Sequence, residues 1–160
     1  MKNSNLFLIS APSGTGKSTL INSVLARAHK SKFPLELSIS YTTRKPRVGE
    51  TDSDHYFFIS PEEFARKKES NFFLEHAEVH GNWYGTSIEF VQSKLDNGIS
   101  LILEIDVQGY RQINSLSLAY ESIFILPPSI RALEERIKNR GDNDLASINL
   151  RLENAKKELI

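Results

Sequence analysis

Apolar runs of strand length recur along the chain and are separated by segments with other periodicities. Residues 6–9 (LFLI) form the first run, and residues 35–39 alternate apolar and polar positions, which predicts a half-buried strand. Residues 99–106 (ISLILEID) are nearly all apolar, which is typical of a parallel strand buried on both faces, and residues 122–126 (SIFIL) predict another buried strand. Strands that alternate with helices predict an α/β fold with a parallel sheet, and such sheets bind ligands at the carboxyl ends of their strands.

Capping residues and apolar spacing predict the helices. Two segments carry the pattern of a capping box, Ser60 with Glu63 and Thr86 with Glu89, and Ser129 predicts a further N-cap. The first and last helices are predicted from apolar residues at helical spacing, namely Leu20, Ile21, Val24, Leu25 and Ala28, and then Leu145, Ile148, Leu152, Ala155 and Leu159. The remaining predicted elements are strands at residues 56–59 and 72–79 and a turn at residues 80–84.

The composition is that of an ordinary globular domain. Of the 160 residues, 39% are hydrophobic and 25% are charged, and this composition indicates neither a disordered chain nor a membrane protein. Twenty Lys and Arg balance 20 Asp and Glu, which argues against a protein that coats nucleic acid but allows a local basic pocket. With no cysteine there are no disulfides and no thiolate metal sites, and the N-terminal apolar run is too short for a signal peptide. These features predict a single cytoplasmic domain without nucleic-acid or membrane partners.

The segment between the first apolar run and the first helix has the pattern of a P-loop. Gly14 and Gly16 can adopt positive φ, so that backbone N–H groups converge on anionic oxygens at the positive end of the helix. Lys17 would reach the β- and γ-phosphates, and the Ser18 hydroxyl would complete a Mg²⁺ shell. Ala11 stands where the full pattern has glycine, and the alternative is a turn rich in glycine and serine that happens to precede a helix. The predicted phosphate-binding residues are Ala11, Pro12, Ser13, Gly14, Thr15, Gly16, Lys17, Ser18 and Thr19.

Two further features suit an anionic ligand, and each has a structural alternative. Residues 40–55 form a polar run that is too long for an ordinary connection and carries Arg44 and Arg47; it is either functional or a solvated basic loop. Asp106 ends the longest apolar run, so it is a candidate for binding Mg²⁺ directly or through water. Its alternative role is that of a helix N-cap.

Four segments that follow the P-loop in order carry a specific resemblance. They read SISYTTRKPRVGE, DHYFF, FLEHAEVHGNWYGTS and LILEIDVQG. Together with the P-loop they resemble guanylate kinase through essentially the whole chain. The resemblance implies a P-loop nucleoside monophosphate kinase fold in one domain, with a parallel sheet core flanked by helices (residues 1–39 and 98–128), a β-rich GMP-binding insertion (residues 40–97) and a helical lid (about 129–151). The C-terminal strand and helix through which the family usually continues are expected to be absent.

The resemblance also implies a role for each matching residue. Guanidinium groups and neutral phenols suit the phosphate of the acceptor. A carboxylate can accept both the N1–H and the 2-amino group of guanine, whereas adenine presents an acceptor at N1. Arginines of a lid stabilise the charge on the transferring group and help to exclude water. By pattern alone, the glutamate could face solvent and the helical arginines could form a solvated face. The implied residues are Arg44, Arg47, Tyr56 and Tyr84 for the phosphate of GMP, Ser40, Glu75 and Thr86 for guanine, Glu104 as a further GMP contact, Ser18 and Asp106 for Mg²⁺, and Lys17, Arg44, Arg136, Arg140 and Arg151 as catalytic residues.

The activity implied by the resemblance is Mg²⁺-dependent transfer of the γ-phosphoryl group of ATP to GMP, which gives ADP and GDP. ATP and GMP are then the small-molecule partners. One alternative is a non-catalytic guanylate-kinase-like module that binds peptides in the monophosphate pocket, and the intact Lys17 and Ser18 argue against it. Another is a P-loop kinase with a different acceptor, against which Ser40, Glu75 and Thr86 argue together.

Overall fold

The computed structural model describes residues 4–12, 14–79, 81–138 and 145–158, apart from some side chains of the last helix. Within them, strands and helices are arranged around two four-stranded sheets. None of the described helices is long and apolar enough to cross a membrane. The elements are β1 (Leu6–Ser10), α1 (Lys17–Lys30), β2 (Leu35–Leu37), β3 (Tyr41–Thr42), β4 (Phe57–Phe58), α2 (Pro61–Glu69), β5 (Phe73–Val79), β6 (Asn82–Ser87), α3 (Ile88–Asp96), β7 (Ser100–Ile105), α4 (Val107–Asn114), β8 (Glu121–Phe124), α5 (Ile130–Lys138) and α6 (Leu145–Glu158).

The first sheet is parallel, as the sequence predicts, and its strand order is β2-β7-β1-β8. β7 lies between β2 and β1 and is buried along its length except at Glu104, which confirms the strand predicted from its apolar run. Leu8 of β1 is in register with Leu103 of β7, and both belong to the main apolar core together with Val91 of α3 and Ile113 of α4. The carboxyl ends of β1 and β7 therefore lie side by side, where a ligand is expected in a sheet of this kind.

β8 does not have the burial that its apolar run predicts. It is the edge strand of the parallel sheet and all four of its residues are exposed. Ile123 and Phe124 leave 47% and 42% of their surface accessible. An apolar run predicts a strand but not its place in the sheet, so the prediction of a second buried strand is wrong.

The second sheet is mixed and has the strand order β4-β3-β6-β5. All of it comes from the chain between β2 and β7, which pair with each other in the parallel sheet. Ser38 N donates to Ile102 O at 2.8 Å, and Ser100 N donates to Pro34 O at 2.8 Å. The mixed sheet is therefore an insertion whose two ends lie next to each other in the parallel sheet.

Two strands of the mixed sheet differ from the prediction. β3 lies within the polar run of residues 40–55, and β6 begins at Asn82, inside the predicted turn of residues 80–84. Their pairing joins segments that are far apart in sequence, as when Thr43 N donates to Trp83 O at 3.1 Å. Such long-range pairing leaves no local signal, so the predicted turn is wrong from its third residue onwards.

The predicted N-caps Ser60 and Ser129 are confirmed. Ser60 Oγ accepts a hydrogen bond from Glu63 N at 3.1 Å at the start of α2. Ser129 Oγ accepts one from Ala132 N at 3.1 Å at the start of α5. In both places a local signal is sufficient because the cap bonds an amide only three residues away.

The capping box predicted at Thr86 is wrong. The N-cap of α3 is Ser87, whose Oγ accepts a hydrogen bond from Phe90 N at 3.2 Å. Thr86 is instead the fully buried penultimate residue of β6, and its hydroxyl donates to Glu75 on the neighbouring strand. The Thr86 hydroxyl, which the local pattern assigns to the start of α3, is thus used in a tertiary contact with Glu75.

α1 begins at Lys17, directly after the glycine-containing loop. Of the apolar residues used to predict it, Ile21 is buried, whereas Leu20 and Val24 expose 45% and 37% of their surface. The helix is therefore correct, but its apolar stripe is broader than the face that packs on the sheet.

α5 and α6 pack against each other beside the loop that follows β1. Leu133 and Ile137 of α5 and Ala155 of α6 form a separate buried cluster, against which Ile148 and Leu152 are partly buried. Ile148, Leu152 and Ala155 therefore lie on one apolar face, as the spacing predicts, whereas the Leu145 side chain and Leu159 lie outside the described residues.

Candidate active site

The loop from Ala11 to Gly16 joins the carboxyl end of β1 to α1, with Ser13 outside the described residues. Gly14 and Gly16 have φ of 88° and 94°, in the left-handed region that side chains disfavour. A Cβ on Gly14 would also lie 2.9 Å from Ile137 Cγ1, whereas a Cβ on Gly16 would meet no atom within 4 Å. Gly14 is therefore required by close packing under α5 as well as by its backbone, and Gly16 by its backbone alone.

Lys17 and Ser18, the first two residues of α1, both face Glu104 near the end of β7. Lys17 Nζ donates to Ile105 O at 3.4 Å and lies 3.6 Å from Glu104 Oε1. The Ser18 hydroxyl donates to the same Glu104 oxygen at 3.2 Å. Burial raises the pKa of Tyr56, and the charge of Glu104 adds to this effect. The charge of Glu104 thus acts on both the loop and the tyrosine.

Asp106 caps α4, which is the role that the sequence offers as its alternative. Its Oδ1 accepts a hydrogen bond from Gly109 N at 2.8 Å, and its Oδ2 accepts one from Gln108 Nε2 at 3.0 Å. Asp106 also lines a cavity of about 650 Å³ that contains Lys17 and Ser18. The carboxylate is therefore at the predicted place, and it has a structural role there.

The same cavity is bounded on its far side by α6. Glu158 of that helix lines the cavity together with Asn154 and Ala155, and nothing in the sequence marks it for this position. Burial raises the pKa of Glu158, and the nearby charge of Asp106 adds to the shift. Among the described residues, no group of three or more His, Cys, Asp or Glu side chains is placed to hold a metal ion. Protein carboxylates alone therefore do not form a metal cage in the described part of this cavity.

Arg44 is held in a cluster of polar and aromatic groups. Its two terminal nitrogens donate to the two oxygens of Glu50, each at 2.9 Å, and its guanidinium carbon lies 5.3 Å from the centre of the Tyr56 ring. The hydrogen bonds from Arg44 hold the pKa of Glu50 down at about 2. Tyr56 and Tyr84 lie beside each other, with ring centres 5.9 Å apart. The structure thus brings together three of the four residues predicted for the acceptor's phosphate.

Arg47 and Glu50 differ from what the pattern suggests. The Arg47 side chain is exposed, and its backbone joins the cluster: its N–H donates to Glu50 Oε2 at 2.7 Å and its carbonyl accepts from Glu50 N at 3.0 Å. Glu50 was not a candidate, although it is the one acidic residue in the basic segment 43–50. An isolated carboxylate among arginines was the available signal for this ion pair.

The three residues predicted to recognise guanine are adjacent. Glu75 is only 5% exposed, which rules out the alternative in which it faces solvent. Thr86 Oγ1 donates to Glu75 Oε1 at 2.6 Å, and Ser40 Oγ lies 3.4 Å from Thr86 Oγ1. Burial raises the pKa of Glu75 to about 7, and Asp106 adds to this shift, while the hydrogen bond from Thr86 opposes it. A carboxylate has two oxygens with several lone pairs, so it can accept two adjacent donors from a ligand.

Arg136 of α5 contacts the loop after β1. Its Nη1 donates to Thr15 O at 3.1 Å, which places the guanidinium next to the predicted phosphate site. Arg140 lies outside the described residues. Arg151 is in α6, and its side chain is also outside the described part of the chain.

Comparison with known proteins gives consistent matches over nearly the whole chain. A family model described as guanylate kinase matches residues 3–160. The chain is 47% identical to the guanylate kinase of Hahella chejuensis over 99% of its own length and 74% of that protein. It is 45% identical to that of Photobacterium profundum over 99% of its length and 76% of the relative. The crystal structure of guanylate kinase from Anaplasma phagocytophilum superposes with a TM-score of 0.76 at 31% identity, and the match covers 99% of this chain and 72% of that one.

Proposed function

This chain belongs to the guanylate kinase family and is an ATP:GMP phosphotransferase, and we propose here which of its residues carry out each part of that reaction. The proposed regions are a core of residues 1–39 and 98–128, a GMP-binding insertion of residues 40–97 and a lid of about 129–151. ATP and GMP are the partners that the family implies. The balanced charge supports these substrates rather than nucleic acid or a membrane, and composition supports a cytoplasmic location.

The loop after β1 is proposed to bind the phosphates of ATP. Its backbone N–H groups, the amino end of α1 and Lys17 supply positive potential at one place. The Ser18 hydroxyl and Asp106 line the same cavity, and such oxygen ligands suit Mg²⁺, which keeps several waters and binds one or two carboxylates. Glu104 lines the cavity too, and it is proposed as a further GMP contact. Mg²⁺, when bound, would neutralise charge on the β- and γ-phosphates. Lys17 would stabilise the negative charge that spreads over the transferring group.

The phosphate of GMP is proposed to bind at Arg44, Tyr56 and Tyr84, with Arg47 joining from the exposed loop. Glu50 holds both terminal nitrogens of Arg44, so the guanidinium is fixed in orientation before GMP arrives. A fixed guanidinium loses less entropy when it binds phosphate. The attacking oxygen of GMP is already anionic at neutral pH, so the reaction needs little help from a protein base.

Guanine is proposed to be read by Glu75, with Thr86 and Ser40 beside it. In its ionised form Glu75 accepts hydrogen bonds from N1–H and the 2-amino group of guanine. Adenine would leave this buried carboxylate facing an acceptor, and sites of this kind reject such analogues by roughly 10⁴-fold or more. The buried contact between Thr86 and Glu75 is the observation that carries the assignment of the acceptor.

The transfer step is proposed to depend on Lys17, Arg44 and Arg136. Arg136 donates to the backbone carbonyl of Thr15, so its guanidinium is held beside the loop that is proposed to bind the phosphates of ATP. Preorganised cations of this kind stabilise the transition state without reorganising. The family resemblance supports the same role for Arg140 and Arg151.

A coupled assay of ATP with GMP, AMP, CMP and UMP tests these assignments. Turnover is expected with GMP alone. Lys17→Met should abolish turnover while GMP binding, measured by calorimetry, stays close to that of the wild type. Lys30→Met, at the exposed far end of α1, is the matched control and should keep full activity. Substantial turnover by Lys17→Met would contradict the role of Lys17, and equal acceptance of AMP would contradict that of Glu75.

A further inference from the structure

We propose that Gly109 and Gln112, on one face of α4, are positioning residues that hold Glu75 in place for guanine recognition. The sequence assigns no role to either residue, although Gly109 ends the LILEIDVQG segment. Gln112 bonds the backbone beside Glu75 rather than its carboxylate. The inference rests on the proposed role of Glu75, and the experiment below separates the two.

Gly109 gives the Glu75 carboxylate the space that it occupies. A Cβ built on Gly109 would lie 2.5 Å from Glu75 Oε2 and 3.2 Å from its carboxyl carbon. Contacts as short as the first do not persist, so any side chain at this position would displace the carboxylate or the helix. Glycine weakens a helix relative to alanine, and here it is buried within α4. The close approach to Glu75 is the reason for a glycine at this place.

Gln112, one turn further along the same face, holds the backbone next to Glu75. Its Nε2 donates to His76 O at 2.6 Å, and its Oε1 accepts from His76 N at 3.1 Å. β5 is an edge strand of the mixed sheet, so these two backbone groups have no strand partner on that side. The amide of Gln112 therefore makes the two hydrogen bonds that a neighbouring strand would make to His76. It fixes the position of β5 at the residue that follows Glu75.

α4 also connects this arrangement to the phosphate end of the site. Asp106, which directly follows β7, caps the helix by accepting the hydrogen bond from Gly109 N at 2.8 Å. Two residues earlier on the same strand, Glu104 contacts Lys17 and Ser18. The distance between the guanine-reading carboxylate and the phosphate loop is thus set through one short helix. Misplacement of a binding group by about 1 Å can reduce activity by about 100-fold.

The test compares Gly109→Ala and Gln112→Leu with the wild type, using GMP and IMP as acceptors. IMP lacks the 2-amino group, so the preference for GMP over IMP reports the second hydrogen bond to Glu75. Both variants should raise the KM for GMP by about tenfold or more and reduce this preference, while the KM for ATP stays within about twofold. Gln92→Leu makes the same change at an exposed glutamine on α3, whose amide donates to Asp96, and should alter none of these values.

Two further variants separate this inference from the role of Glu75 itself. If Glu75→Gln leaves the preference for GMP over IMP unchanged, the proposed reading of guanine is wrong. If Glu75→Gln reduces the preference but Gln112→Leu does not, the positioning role is wrong. The double variant Glu75→Gln/Gln112→Leu should show the same preference for GMP over IMP as Glu75→Gln alone. If the two substitutions reduce this preference by factors that multiply, the proposal is also wrong. A purely structural loss would weaken the binding of GMP and IMP equally and leave the preference for GMP unchanged, which would also refute the positioning role. If Gly109→Ala does not fold, Gln112→Leu alone decides the test.

Discussion

The buried carboxylate of Glu75 should make the protein less stable as the pH rises. Burial raises its pKa from 4.5 to about 7. Between these values the folded protein holds a proton that the unfolded chain has released, so the free energy of unfolding falls with increasing pH. With about 1.4 kcal/mol for each pKa unit, the loss from this group between pH 5 and pH 8 is about 2.5 kcal/mol.

Glu75→Gln removes the charge and keeps an oxygen that can accept the Thr86 hydroxyl. Relative to the wild type, the variant should therefore gain about 2.5 kcal/mol in its free energy of unfolding between pH 5 and pH 8. If the free energy of unfolding falls by about 2 kcal/mol for each molar of urea, the urea midpoint of the variant minus that of the wild type should increase by about 1 M between pH 5 and pH 8. The chain has a single tryptophan, Trp83, on the strand that pairs with β5, and its fluorescence can follow unfolding.

The experiment is done in EDTA, so that no divalent ion alters the charge of Asp106. Glu78→Gln is the matched control, because it removes an exposed carboxylate from the same strand and surface changes usually shift stability by less than about 0.5 kcal/mol. A stability difference between Glu75→Gln and wild type that is the same at both pH values would refute the reasoning. The expected result is a variant that is more stable at pH 8 and has lost its preference for GMP, as is common where function requires a buried charge.

Two other predictions concern the charged residues around the phosphates. Glu50→Gln should raise the KM for GMP by about tenfold with little change in kcat, because Arg44 loses its bidentate partner; initial rates over a range of GMP concentrations measure this, and an unchanged KM contradicts it. Because the pKa of Glu50 is about 2, its stabilising contact with Arg44 is present at neutral pH and is lost only as the pH falls towards that value, so the KM should show no titration of this pair above pH 4. Arg136→Ala should lower kcat by about 100-fold or more, whereas Arg131→Ala, whose side chain is 89% exposed, should leave kcat unchanged in the same assay.

The parts of the fold that the sequence predicts correctly depend on short-range bonds or strong periodicity. Ser60 and Ser129 cap helices through amides three residues away, and the run that forms β7 is apolar because both of its faces are covered. The errors occur where a distant partner decides. Thr86 carries the same hydroxyl as its neighbour Ser87, and only the buried Glu75 across the sheet determines which of them caps α3.

The candidate site follows the same division. The loop glycines and Lys17 are recognisable because a phosphate site of this type is one continuous segment. Glu50, Gly109 and Gln112 act through contacts with residues that the sequence does not place beside them. A glycine inside a helix is a usable signal of close packing, but it does not name the side chain that needs the space. The partner, Glu75, becomes evident only in three dimensions.

The insertion of the mixed sheet between two paired strands has a consequence for the order of folding. β2 and β7 are neighbours in the parallel sheet, although more than 60 residues separate them along the chain. Closing an unstructured loop of that length costs about 4 kcal/mol in chain entropy, whereas β5 and β6 are only two residues apart and can pair at little cost. If the hairpin of β5 and β6 and its partners form first, the ends of the insertion are brought together before β2 meets β7. The sheet that holds the phosphate loop is therefore expected to close last, so the strands that carry Glu75 and Thr86 pair first, and β7 and α4 then complete both the guanine pocket and the site of phosphoryl transfer.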